Sequence, residues 1–268
     1  MLSIHSLYNK LVTRGKPRDY VLYEVDETDS TNLHVRMLAQ SREPAKGLAE
    51  APVVVLSTDY QTAGRGQGSN TWESERGKNL LFSILIHPTM VPVQRQFLLS
   101  MMGALALKEA LGVYVSEGVT LKWPNDIYWK DRKISGTLIE TSLSGGHIKD
   151  CVFGVGINVN QTSFSSNLPN PVALCQIVGS EVDRKQLLDA IMKSFAKYFR
   201  LLEEGGYADI SALYHEALYR KHGFFTYKGK DGTFEGAVVE VEDDGHLVLR
   251  DREGRIHEYT LKDIQYVI

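Results

Sequence analysis

The sequence predicts an α+β chain, in which a mixed or antiparallel sheet packs with helices and a small C-terminal β-barrel follows. Three observations predict it. Short apolar, β-branched runs alternate with helical patterns, but hairpin turns separate several of them, which argues against a regular βαβ series. Residues 184–204 carry Leu187, Leu188, Ile191, Met192, Phe195, Tyr198, Phe199 and Leu202 at helical spacing. From about His222 the texture changes to the short strand-like runs FFTY, TFEGAVVEV, GHLVLRD and IHEYTL, parted by KGKDG, EDDG and REGR. A boundary near residue 221 follows, giving domains 1–221 and 222–268.

Taken in order, the first twenty residues read as a polar arm or a first helix. Residues 21–25 read as a strand, and a helix is expected from about Thr31 to Ser41, with Asp29, Ser30 or Thr31 as its N-cap. Residues 53–58 are a buried strand, Gly64 to Asn79 a glycine-rich loop, and 80–86 a second strand. Residues 97–111 are apolar nearly all round, as in a helix buried on more than one side, and Gly112 stops it. Residues 119–123 form a strand cut by Pro124. Segments 127–129 and 134–141 flank the turn KDRK, and 151–159 is a strand with two glycines. Gly205 and Gly206 end the amphipathic helix, and a shorter helix is expected over 208–221.

Bulk properties exclude some functions. Thirty basic and 33 acidic residues give a formal net charge of −3, which is no footprint for nucleic acid. Cys151 and Cys175 stand far apart with no metal-ligand spacing, so two reduced thiols in a reducing compartment are expected. The N-terminus lacks the pattern of a signal peptide, and no apolar run reaches the roughly 18 residues of a membrane helix. A soluble, cytoplasmic protein that acts on neither membrane nor nucleic acid is the expectation.

Five short stretches carry chemistry, and each is ambiguous alone. Gly64, Gly66 and Gly68 alternate with Arg65, Gln67 and Ser69. Such glycines let backbone N–H groups approach an anion, and Arg65 adds a planar cation for phosphate or carboxylate; a flexible hairpin reads equally well. It is not a phosphate loop of the Walker type, because Gly77-Lys78-Asn79 lacks the following hydroxyl. Lys122-Trp123-Pro124-Asn125-Asp126 puts Asn125 and Asp126 in a turn, where they bind a ribose, a metal or only the turn backbone. Lys133 sits at the tip of a charged hairpin, before Ile134-Ser135-Gly136. Gly154-Val155-Gly156-Ile157-Asn158-Val159-Asn160 marks close packing, or places Asn158 and Asn160 on one strand face. Asp29-Ser30-Thr31-Asn32 is a helix cap, a set of polar groups for a ligand ring, or both.

Their order resolves the ambiguity. Ser30-Thr31-Asn32, then Gln61-Thr-Ala-Gly-Arg65-Gly, Trp72, Lys122-Trp-Pro-Asn-Asp, Lys133-x-x-Gly136 and Gly154-x-Gly-Ile-Asn-Val-Asn160 resemble the catalytic domain of biotin–protein ligases over residues 24 to 160. The resemblance implies a class II synthetase-like catalytic domain and an SH3-like C-terminal domain. It implies activation of biotin by MgATP to biotinyl-5′-adenylate, then transfer to a lysine of a biotin carboxyl carrier protein of acetyl-CoA carboxylase or a related carboxylase. It assigns Lys133 and Arg65 to catalysis. Biotin falls to Ser30, Thr31, Asn32, Gln61, Gly64, Arg65, Gly66, Gln67, Trp123, Lys133 and Gly136. ATP falls to Arg65, Trp72, Asn125, Asp126, Lys133 and Asn158. Magnesium is held mainly by ATP phosphates, with Asp126 as the candidate protein ligand. The glycine loop, expected to be poorly ordered without ligand, would cover the adenylate and exclude water.

Two departures stand out. The family's second loop arginine is Gln67 here, which lowers the loop's positive charge. The Ser-Thr-Asn motif begins at residue 30, so the short form without a DNA-binding domain is expected. Homodimerisation, common in the family, is carried over without an interface. The alternatives are a non-catalytic biotin sensor and a lipoate or octanoyl transferase of related fold; pyrophosphate release with biotin and ATP separates the sensor from the ligase.

Overall fold

The computed structural model describes residues 20–40 and 53–268; the arm or helix expected before Tyr20 lies outside the described residues. In chain order the elements are β1 (Val21–Thr28), α1 (Thr31–Gln40), β2 (Val53–Gln61), β3 (Leu80–Ile86), α2 (Phe97–Leu111), β4 (Val119–Lys122) and β5 (Asp126–Trp129). There follow β6 (Arg132–Ser144), β7 (His147–Ile157), α3 (Leu174–Val178), α4 (Arg184–Glu203) and α5 (Tyr207–Glu216). The last are β8 (Phe225–Gly229), β9 (Gly232–Val241), β10 (Leu247–Asp251), β11 (Ile256–Tyr259) and β12 (Gln265–Tyr266). Contacts divide the chain into two compact units, one of residues 1–90 and 133–189 and one of 91–132 and 190–268.

In the first unit the strands run in the order β1-β2-β3-β7-β6. β1 and β2 pair in parallel and the remaining neighbours antiparallel, so the sheet is mixed. A parallel pair needs a crossover rather than a tight turn, and α1 lies in it. Val35 and Leu38 of α1 cluster with Val21, Tyr23, Val25, Val54, Leu56, Leu85 and Val152. β3 reads LLFSILI and is buried throughout, without the alternation of a one-sided strand, because both its faces are covered. Its one polar residue, Ser83, pairs with Gly154. On the other side of β7, Gly136 pairs with Gly156 and Leu138 with Gly154. Since side chains alternate, Gly136, Leu138 and Glu140 share a face with Gly154, Gly156 and Ser83, and two rows of that face carry glycine, Ser83–Gly154–Leu138 and Gly156–Gly136.

In the second unit α2 spans the expected residues and buries Leu98, Leu99, Met101, Met102, Leu105, Leu107 and Leu111, an almost complete circumference. Gly112 follows it as the C-cap. Glu109, on the same helix, accepts from Lys197 Nζ (2.6 Å) and Tyr198 Oη (2.8 Å) of α4. Burial works against Glu109's charged form, but these donors outweigh it and hold its pKa below the ordinary carboxylate value. β4 and β5 pair as an antiparallel hairpin across Pro124, Val119 opposite Trp129. The C-terminal sheet, ordered β11-β10-β9-β8-β12, is antiparallel and encloses Tyr227, which lies 6.0 Å from the Phe234 ring and 5.1 Å from that of Tyr266. Residue 221 falls between α5 and β8.

Several boundaries differ from expectation. α5 stops at Glu216 instead of 221. β7 starts at His147, four residues early, because it forms a hairpin with β6. The turn expected over KDRK is tighter: Lys130 has a φ of 53°, and β6 has already begun at Arg132. Lys133 therefore lies inside a strand and not at a solvated hairpin tip.

Candidate active site

The glycine-rich segment folds as a small hairpin. Trp72 N–H donates to Gly64 O (3.0 Å), Gly66 N–H to Asn70 O (2.7 Å) and Asn70 N–H to Gln67 O (3.2 Å), while Arg65 bridges Thr71. Gly68 sits at the tip with φ of 64°, a conformation that suits glycine. At the base, Thr62 and Ala63 N–H groups donate to Thr28 O (2.9 Å) and Asp29 O (3.0 Å), which ties the hairpin to the end of β1. A cavity of about 510 Å³ is lined by Gly64, Arg65, Gly66, Asn70, Leu138 and Glu140 among others.

Ser30, Thr31 and Asn32, at the start of α1, are all buried. Buried polar groups need partners, and the side chains of Thr31 and Asn32 have them. Gln61 Oε1 accepts from Thr31 N–H (2.8 Å) and from Thr31 Oγ1 (3.1 Å). Ser83 Oγ lies 2.7 Å from Thr31 Oγ1 and donates to Asn32 Oδ1 (2.6 Å). Asn32 Nδ2 donates to Glu140 Oε2 (2.8 Å). Glycine at 154 makes this possible, since a Cβ there would fall on the Asn32 carboxamide. The Asp29 carboxylate accepts from Ser30 N–H (2.6 Å).

Trp72 lies on the second glycine row. A Cβ at Gly156 would strike its indole, and one at Gly136 would meet both the indole and Lys133 Nζ. Its Nε1 is buried and has no hydrogen-bond partner among the described residues. Lys133 Nζ stands 5.8 Å from the Trp72 ring centre, within cation–π reach. The Lys133 backbone is clamped: its N–H donates to Asn170 O (2.8 Å), and its carbonyl accepts from Val172 N–H (2.9 Å) and Asn158 Nδ2 (3.3 Å). Asn158 is itself buried, and its carbonyl accepts from Leu174 N–H (2.9 Å). Asn160, read as a possible ligand group, instead bonds the Val182 main chain through both ends of its carboxamide (2.8 and 2.9 Å).

The first unit thus gathers Ser30, Thr31, Asn32, Gln61, Gly64, Arg65, Gly66, Gln67, Trp72, Lys133, Gly136 and Asn158. Trp123, Asn125 and Asp126 belong to the second unit. There Trp123 is buried and its indole N–H donates to Gly245 O (3.0 Å), while Asp126 opens β5 opposite Lys122. Sequence reasoning missed Ser83 and Glu140. The signal for Ser83 is a lone hydroxyl in a fully apolar strand; for Glu140 it is the even spacing that puts it on the face of Gly136.

Residues 29–158 match the model of the biotin/lipoate A/B protein ligase family. The chain is 29% identical over 238 residues to the bifunctional ligase/repressor BirA of Bacillus spizizenii, covering 88% of this chain and 70% of that protein. It is 29% identical over 244 residues to the biotin–[acetyl-CoA-carboxylase] ligase of Paracoccus denitrificans, covering 85% and 93%. Among solved structures it is similar to biotin protein ligase from Aquifex aeolicus in complex with biotin and ATP, with a TM-score of 0.73 and 26% identity, covering 92% of this chain and 99% of that one. The mixed sheet with its helices and the C-terminal antiparallel sheet match that fold. Residues 29–158 thus carry a biotin/lipoate A/B protein ligase domain, within a fold shared with the Aquifex aeolicus biotin protein ligase.

Proposed function

We propose that this chain is a biotin–protein ligase, which activates biotin with ATP and passes the biotinyl group to a lysine of a biotin carboxyl carrier protein. The observation that carries this reading is a single sheet face. The Thr31–Gln61–Ser83–Asn32 network lies on it, Arg65 of the glycine hairpin bonds Glu140 beside Asn32, and Lys133 stands with Trp72 at the Gly136–Gly156 row. Biotin's ureido ring is neutral and polar while its remainder is apolar, and a pocket for it needs placed donors and acceptors beside bare surface. Ser30, Thr31, Asn32 and Gln61 offer the first, and the sheet face at Leu138, which lines the cavity, offers the second.

The first step joins two anions. A biotin carboxylate oxygen forms a bond to the α-phosphorus of ATP, the bond from that phosphorus to the bridging oxygen breaks, and pyrophosphate leaves. Repulsion opposes the approach unless cations and N–H donors are already in place. Arg65 and the backbone of Gly64, Gly66 and Gln67 are suited to the carboxylate and α-phosphate, and Lys133 to the developing charge between them. The three main-chain bonds at Lys133 and Asn158 favour a fixed origin for that side chain. Trp72, Asn125, Asp126 and Asn158 are assigned to the nucleotide, and Trp123 to biotin. In the second step the acceptor amine attacks the biotinyl carbonyl carbon, AMP leaves with the bonding pair, and the amine sheds a proton. A formed hairpin over this face supports retention of the adenylate away from water.

Magnesium would ride chiefly on the ATP phosphates, with Asp126 as the protein oxygen. Asp126 opens β5 and carries a carboxylate oxygen, the hard donor type magnesium takes; phosphate and water would complete the shell. When bound, the ion would neutralise phosphate charge. The reading includes residues 1–221 as the catalytic domain and 222–268 as the SH3-like domain, a cytoplasmic location, a possible homodimer, and no nucleic-acid or membrane role. No helix among the described residues is long and apolar enough to cross a membrane.

The test supplies labelled biotin, MgATP and a biotin carboxyl carrier domain with and without its acceptor lysine. Label on the carrier only when that lysine is present is expected. Tight biotin binding with no adenylate would leave a sensor in place of an enzyme.

A further inference from the structure

Glu140 lies outside every motif that carries the ligase resemblance, yet three side chains converge on it. Asn32 Nδ2 and Arg65 Nη2 both donate to its Oε2, at 2.8 and 2.5 Å, and Arg36 Nη1 stands 3.8 Å from Oε1. These donors come from α1 and from the glycine hairpin, whose bases are tied by the main-chain bonds to Thr28 and Asp29 and by the Thr31–Gln61 bonds. Glu140 shares its strand face with Gly136 and Leu138 and lines the cavity under the hairpin beside Arg65.

The chemistry of each donor says what the carboxylate does. Arg65 has a long stem, and its side chain is 45% exposed, so the hairpin backbone alone does not fix its head group. A carboxylate on one guanidinium edge fixes it and leaves the remaining N–H donors for another anion. Asn32 has a carboxamide that can turn over. With Oδ1 accepting from Ser83 and Nδ2 donating to Glu140, only one orientation satisfies both ends. One acidic oxygen thus sets two neighbouring side chains that the ligase reading assigns to biotin. The pair is partly exposed, where an ion pair adds little stability, so its effect is geometric. An acceptor already receiving two donors is also poorly placed to take a proton from substrate.

We propose that Glu140 is a positioning residue for biotin activation, acting through Arg65 and Asn32. This rests on the ligase reading. The experiment measures single-turnover pyrophosphate release with biotin and MgATP for the unaltered protein, Glu140→Gln, Arg65→Ala and the double variant, with thermal midpoints for each. Glu140→Gln is expected to slow release by about tenfold, within what a misplacement of about 1 Å can cost, with an unchanged midpoint. It should add little further loss once Arg65 is gone. A full, additive loss in the Arg65→Ala background would place its action elsewhere and overturn the proposal, as would a rate equal to or above that of the unaltered protein. Should Glu140→Gln not fold, Glu140→Asp takes its place in the same cycle, keeping the charge but withdrawing it by one methylene. No pyrophosphate from the unaltered protein would overturn the ligase reading itself, and this inference with it.

Discussion

Gly156 and Lys133 show how single residues shape the candidate site. Gly156 has no side chain, and the Trp72 indole fills the space a methyl would need. Gly156→Ala should therefore displace Trp72, seen as a shift in tryptophan fluorescence, and slow adenylation more than it lowers biotin affinity. Unchanged emission would show that the indole does not rest there. Lys133→Ala removes a cation whose backbone is held by three hydrogen bonds. Adenylation is expected to fall by on the order of a hundredfold, the scale of losing one preorganised contact to developing charge; a normal rate of pyrophosphate release would remove Lys133 from the mechanism. Both residues were legible as motif positions. Their company was not. Ser83 pairs with Asn32 across 51 positions and Glu140 with Asn32 across 108, and sheet register, which no local pattern states, makes those contacts.

At the scale of elements, long apolar patterns were read well and connections less so. β3 and α2 fell on the expected residues because each is a continuous apolar run ended by a polar or glycine residue. The glycine-rich segment was read as a loop because alternating glycines carry no strand or helix period, yet main-chain bonds close it into a hairpin. Its far end is anchored by a buried polar relay. Asn79 is fully buried, accepts from Val159 N–H (3.0 Å) and donates to Gln161 Oε1 (2.7 Å), which also receives Glu75 N–H (3.0 Å). Asn79→Ala strands the Val159 donor in the interior and takes one donor from Gln161. The expected cost is about 1–3 kcal/mol, the usual penalty for an unsatisfied buried group, read as a lower urea midpoint at unchanged slope. A loss under about 0.5 kcal/mol, the level of an ordinary surface change, would mean that water or a rearranged Gln161 replaces the missing amide.

For the whole molecule, the change of texture after residue 221 was visible in the turn spacing of the tail. The grouping of 91–132 with the tail was not, because contacts across long separations make it: Trp123 with Gly245, Arg95 with Asp243, and Lys122 over the Tyr266 ring at 4.5 Å. That second unit holds a set of buried phenols, and they give it a pH limit. Tyr219 is pushed up to about 12 by burial first and then by its hydrogen bond to Asp131 (2.5 Å), since both disfavour the phenolate. Burial likewise pushes Tyr227 up to about 12. A phenol whose folded pKa exceeds its unfolded value of 10.0 binds its proton more tightly when folded. The stabilisation is then complete below pH 10 and is lost as pH climbs from 10 to about 12. Urea midpoints should accordingly hold steady from neutral pH to about 10 and then fall steeply. Tyr219→Phe should lower the plateau, because Asp131 loses a donor, but make the alkaline fall shallower, because one titrating phenol is gone. An equally steep fall in that variant would assign the alkaline limit to the other buried tyrosines of the unit, with Tyr227 and Tyr266 the next to replace.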